Sequence, residues 1–323
     1  MMLGMVEIPD AYVGYAAGLT VSVLWTATSI FFTAAGRRIG ATAVNAFRIA
    51  MAIVLLGVTH RVWSGVWMPE ARWGQIVLLG LSGILGLSIG DQALITAFLQ
   101  IGPRLAMLVM TTAPLMAALF GWLLLGETLC PIAFVGIGLT VAGVAWVIME
   151  RPRRGPEVRG GSRTRGLLLA FVGAACQAGG LLLSKQGIGH GWLPEEAYLN
   201  PQAATLVRMA FAGVGMVPIV LLHARREAKA RRLGVPVAFS GAWRSGLLLA
   251  TAGSIVGPYF GVWLSLVAAD NAPLGIAQTL TSLTPVLILP FAWLVYRERI
   301  SVRAVVGAII AVGGIVLLFV EVS

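Results

Sequence analysis

Residues 112–129 read TAPLMAALFGWLLLGETL, and 171 positions further on residues 283–300 read LTPVLILPFAWLVYRERI. In that register Pro114 falls on Pro285 and Glu127 on Glu298. Extending it without a gap lays Gly86 on Gly257, Gly136 on Gly307 and Gly143 on Gly314. Coincidences held at one fixed period mark an internal repeat. Towards the start of each half the offset becomes 148, pairing Gly18 with Gly166 and Arg37 with Lys185, and Arg48 corresponds to Arg208. Changes in loop length account for the altered offsets.

The repeat is written in apolar residues. The chain of 323 residues is 58% hydrophobic and 11% charged, with a mean hydropathy of +0.90, whereas a soluble domain carries about 25% charged residues. Its runs are long enough to cross about 30 Å of hydrocarbon at about 1.5 Å per residue. Read against their interruptions, they predict an all-α membrane protein of ten helices in two blocks of five. The first block (residues 12–149) holds spans at 12–35, 43–60, 74–99, 104–125 and 131–149. A basic loop at 150–165 leads to the second block (residues 166–320), with spans at 166–186, 203–222, 244–268, 273–295 and 302–320.

An odd number of spans per block inserts the two halves with opposite orientation, an inverted repeat. Of the 23 Lys and Arg residues, Arg61, Arg72 and Lys185 fall in one alternating set of loops. Arg48 and Arg208 begin spans, and all the rest fall in the other set. The positive-inside rule then puts both termini outside a cytoplasmic membrane. The net charge of +10 is thereby a matter of orientation, and no nucleic-acid partner is implied. The N-terminus has Glu7 and Asp10 but no basic residue before the first run, so the first helix is expected to be retained rather than cleaved. Cys130 and Cys176 show no paired spacing, and His60, His190 and His223 fall in loops or at span ends. No disulfide framework, metal site or cofactor follows.

The quoted motifs, followed by GIGLTVAGV and GAIIAVGGI, together with Trp25 in the first helix and Arg48 opening the second (NAFRIAM), resemble the drug/metabolite transporter superfamily. The likeness is to proteins with two EamA-type domains and covers about Leu19 to Val320. It implies a ten-helix secondary transporter, often an exporter of amino acids, other small metabolites or drugs, working by alternating access in the bacterial inner membrane. Protons would be a candidate coupling ion and lipids the surroundings. Small multidrug-resistance relatives place a carboxylate in their first helix. Residues 18–35 here contain no acid, so that coupling device does not carry over. A lipid flippase or passive channel is the alternative. An intramembrane enzyme is the weakest, because SIGD (residues 88–91) departs from the G-x-G-D protease motif and no second aspartate lies within a span.

Candidate site residues follow from polar groups inside apolar runs. Asp91 stands alone among charges between Arg72 and Arg104, and an ionised group in a span costs about 2.5–3.5 kcal/mol even on the lenient insertion scale. Ser88 and Gln92 share its helix face, with Tyr259, Val262 and Trp263 as repeat counterparts of the three. Thr111, with Met107 and Met110, corresponds to Ser282, Gln278 and Thr281. Trp25 and Ser29 share a face of the first helix, and Gln177 is the counterpart of Ser29. Helix-helix hydrogen bonding competes with cavity lining for all the hydroxyls and amides. Pro114, Pro258 and Pro285 are expected bends. Arg48 and Arg208 are expected to snorkel to headgroups, Lys185 to anchor at the interface, and Glu127 and Glu298 to cap the helix that follows each or to pair with a loop arginine.

Overall fold

The computed structural model of the chain describes residues 10–149, 163–193, 197–232, 242–284, 286–287 and 302–320. Among them every regular element is helical. In chain order these are α1 (Asp10–Ile39), α2 (Ala41–Ser64), α3 (Trp73–Ser82), the π-helical segment π1 (Gly83–Gly90), α4 (Asp91–Met110), α5 (Ala113–Phe120) and π2 (Gly121–Leu125). They continue as α6 (Pro131–Met149), α7 (Arg163–Ile188), α8 (Pro201–Arg232), α9 (Trp243–Ser254), π3 (Ile255–Gly261), α10 (Val262–Asn271), α11 (Leu274–Thr281) and α12 (Val302–Val320).

Among the described residues six helical stretches are long and apolar enough to cross a membrane: Asp10–Ile39, Ala41–Ser64, Trp73–Ile101, Arg163–Ile188, Pro201–Lys229 and Trp243–Asn271. Shorter apolar helices at Ala113–Leu125, Pro131–Trp146 and Val305–Leu317 fall on three more of the ten expected spans. The expected ninth span is described only in part. Pro285, Glu298 and the basic loop lie outside the described residues.

The 171-residue register reappears in the backbone. α6 and α12 begin and end at that offset, and π1 and π3 occupy corresponding stretches of the third and eighth spans. Both spans were expected as plain helices, and glycine explains the difference. A Cβ on Gly86 would come within 3.4 Å of the Arg208 guanidinium, and one on Gly257 within 2.6 Å of the Thr28 side chain. Bare backbone therefore faces a neighbouring helix at each, and the i→i+5 pattern of a π-helix widens the coil there. In π3 Pro258 also withholds a backbone donor.

A second correction concerns the boundary expected at 99–104. The helix runs on from Asp91 to Met110 without a break at 99–104. The break falls at Thr111–Thr112, where Pro114 cannot donate to the Met110 carbonyl and sits in the first turn of α5. Thr112 Oγ1 donates instead to Val109 O at 2.8 Å. The corresponding break in the second half is at Ser282–Leu283, where Ser282 Oγ donates to Gln278 O at 2.8 Å.

The halves exchange their first helices. α1 lies on α9, π3, α10 and α11, while α7 lies on α3, π1 and α4. Small residues set the approach: Thr28 meets Gly257 and Trp25 meets Gly261 on one side, and Cys176 meets Gly90 and Gly180 meets Gly86 on the other. α6 packs on α12 through Gly143 and Gly314, with Thr140 Oγ1 reaching Ala311 O at 3.3 Å. Close backbone contact of this kind drives helix association where lipid removes the hydrophobic incentive.

Candidate functional site

Arg48 and Arg208 are each the eighth residue of their helix, α2 and α8, roughly 10 Å below its start at 1.5 Å per residue. Neither snorkels, since their exposures are only 5% and 4%. α8 packs against π1 and α2 packs against α8, so these side chains point into protein rather than along a lipid face.

Arg48 lies within a connected set of polar contacts. Its guanidinium forms a salt bridge with Asp91, donates from Nε to Asn45 Oδ1 at 2.7 Å and from Nη2 to Leu87 O at 3.2 Å. It also lies 5.8 Å from the centroid of the Phe32 ring, a favourable cation–π arrangement. Asn45 Nδ2 is 3.3 Å from Gln92 Oε1, and Gln92 Nε2 donates to Thr42 Oγ1 at 3.1 Å. Ser88 Oγ donates to Ala212 O on α8 at 2.7 Å. Asp91, Ser88 and Gln92 are thus brought together as predicted from their spacing, but as parts of a connected hydrogen-bond network that ties α2, π1, α4 and α8.

Arg208 stands beside a different feature, an internal cavity lined by Trp25, Leu87, Gln177, Leu181, Arg208, Val262, Ser265, Gln278 and Thr281. The space open to water centres is about 10 Å³, enough for about one water. Arg208 Nε is buried with no hydrogen-bond partner. Four residues singled out by sequence therefore line this cavity: Trp25, Gln177, Gln278 and Thr281. Five do not. Ser29 Oγ donates to Thr26 O, Ser282 caps the break described above, and Thr111 sits at the equivalent break in the first half. Tyr259 and Trp263 pack together at 6.2 Å between centroids and turn towards α2. Trp263 meets Trp63 edge-on at 5.4 Å, and the Tyr259 hydroxyl lies 2.7 Å from Thr59 Oγ1. Because Thr59 already donates to Leu55 O, the tyrosine is the donor there.

One end of the bundle carries a second charged group. Lys185, expected at the interface, is buried at 7% exposure. Its Nζ lies 2.6 Å from Glu127 Oε1 and donates to Ala272 O at 2.6 Å. Glu127 Oε2 accepts from Leu274 N at 2.7 Å. The glutamate does cap a helix N-terminus, where a negative charge is favoured, but the helix is α11 of the other half rather than α6. Nearby, Asp270 at the end of the Trp243–Asn271 stretch faces His190 Nε2 at 2.6 Å and accepts from the hydroxyl of Tyr198, which lies outside the spans, at 2.9 Å. Partial burial, the hydrogen bond given to Asp270 and that carboxylate's charge push the Tyr198 hydroxyl up to about 12.

The model of the EamA-like transporter family matches residues 12–149 and again residues 164–320. The chain belongs to the EamA-like transporter family. It is accordingly a membrane transporter of the drug/metabolite transporter superfamily, and the members of its EamA-like family are transporters. A solved crystal structure 19% identical in sequence superimposes with a TM-score of 0.71, covering 95% of this chain and 96% of that one. At that identity it shows a shared fold alone. No curated protein matches the sequence. Within this EamA-family chain, sequence reasoning missed Asn45, Ser265 and the inward turn of both arginines. The sequence carried no local signal for that turn, because an arginine close to the start of an expected span reads as an interface residue.

Proposed function

We propose that this EamA-family transporter is a secondary carrier, an exporter of small metabolites such as amino acids, built from ten spans in two inverted five-helix halves. It works by alternating access in a bacterial inner membrane, with both termini outside. The observation that carries this reading is the cavity. Trp25 and Leu87 come from the first half, while Gln177, Arg208, Val262, Ser265, Gln278 and Thr281 come from the second. It lies where the exchanged first helices meet the π-helical segments, the elements in each half whose hydrogen bonding departs most from a regular helix.

A cavity with room for about one water requires the surrounding helices to move before a solute enters. The breaks at Thr111–Thr112 and Ser282–Leu283, and Pro258 within π3, are where such movement costs fewest hydrogen bonds. Asp91 is engaged by Arg48, so its part is to hold that arginine and the helices around it. The test is counterflow in sealed proteoliposomes: a labelled amino acid should accumulate transiently and saturably against an excess of unlabelled solute inside. A non-saturable leak would indicate a channel, and scrambling of labelled phospholipid without solute counterflow would indicate a flippase; either overturns the proposal.

A further inference from the structure

The repeat supplies its own template for what the cavity holds. In the first half Arg48 has Asp91 on its guanidinium and Asn45 on its Nε. At the corresponding positions of the second half stand Arg208, Val262 and Thr205. Valine has no charge to offer, and the Thr205 hydroxyl donates to Pro201 O at 2.7 Å. Both partners of the first arginine are therefore missing from the second. What lies beside Arg208 and Val262 instead is the cavity, and the buried Nε is left without a partner.

A guanidinium in a membrane interior is too costly to leave uncompensated, and its planar fork matches a carboxylate in two parallel hydrogen bonds. We propose that the substrate carries a carboxylate, which docks on Arg208 in the seat that Asp91 fills on Arg48. The inference rests on the reading of this cavity as the transport site and narrows its substrate class to carboxylate-bearing solutes. The two arginines and the single aspartate leave one positive charge for the ligand to neutralise. Gln177 and Gln278 offer amide N–H groups to the remaining lone pairs, and Trp25 offers an aromatic wall.

The test compares phenylalanine, 3-phenylpropionate and phenethylamine, which share a ring and a chain but differ in the carboxylate, with inorganic phosphate as a further anion. Binding is followed as ligand-induced thermal stabilisation of the purified full-length chain, and transport as counterflow. The two carboxylates should bind and phenethylamine should not. Arg208→Gln should weaken binding by about 10- to 100-fold, and Arg208→Lys, which keeps the charge and loses the fork, by less. Because Arg208→Gln removes an unpaired buried charge, its unliganded melting temperature should equal or exceed that of the unmutated protein, unlike a change at a structural arginine. Val262→Asp should place a carboxylate on Arg208 and abolish carboxylate binding.

Phenethylamine binding as well as phenylalanine, phosphate binding more tightly than either carboxylate, no carboxylate binding at all, or unchanged carboxylate selectivity in Arg208→Gln and Val262→Asp would each overturn the inference. Counterflow that proceeds with any of those results would leave the transporter reading standing while this one falls. Carboxylate binding that depends on Arg208 but is accompanied by no counterflow would do the reverse.

Discussion

Arg48 and Arg208 occupy the same place in the two halves and have opposite surroundings. The first is enclosed by Asp91, Asn45 and Leu87 O. The second meets Val262 and open space. Duplication of one unit thus gives two arginines with one internal carboxylate between them. The arginine with the carboxylate forms a closed structural joint, and the arginine without it borders the cavity. The same asymmetry holds at the helix ends. Lys185 is buried against Glu127 and Ala272 O, whereas its counterpart Arg37 is exposed.

The largest effect is expected from breaking the closed joint. Asp91→Asn leaves Arg48 buried without its counter-charge and should cost about 3–5 kcal/mol of stability, read as a marked fall in melting temperature in detergent. Replacing Arg48 and Asp91 together by leucine should cost much less. Equal losses in the single and double variants would show that the ion pair does not organise this region. A smaller effect is expected at the end of the bundle. Lys185→Met keeps the side-chain length but leaves one Glu127 oxygen facing protein without a cation, at a cost of about 1–3 kcal/mol. Arg37→Met, at the exposed counterpart, should stay within about 0.5 kcal/mol.

These contrasts mark how much the sequence discloses. The period was legible because α6 and α12 pack through glycines at corresponding positions, Gly143 and Gly314, and bare backbone contact leaves the residue type little freedom. Gly86 and Gly257 flagged the π-helical segments without disclosing their winding, since a run such as GILGLSIG satisfies several helical periods equally. Arginine near a span start reads as an interface residue when only linear depth is known. Which way the side chain turns is decided by the packing of α8 against α2 and π1. The Lys185–Glu127–Leu274 contact joins three distant points of the chain and has no local signature.

The smallest expected effect lies outside the spans. Tyr198, raised to about 12 from an unfolded value of about 10, favours the folded state most below pH 10, and this contribution is lost as pH rises through about 12. The tyrosinate step near pH 12 in an ultraviolet titration should vanish in Tyr198→Phe and shift down in Asp270→Asn. A step unchanged in Asp270→Asn would remove that carboxylate as a cause.

The central claim is that the half lacking an internal carboxylate is the half that handles the solute. Counterflow of labelled phenylalanine in sealed proteoliposomes tests it most directly, comparing the unmutated chain with Val262→Asp, which gives the second half the partner the first already has. Tyr259→Phe, whose hydroxyl contacts Thr59 away from the cavity, serves as the control. The account predicts saturable counterflow in the unmutated chain and in Tyr259→Phe, and none in a folded Val262→Asp. Undiminished counterflow in Val262→Asp would contradict it.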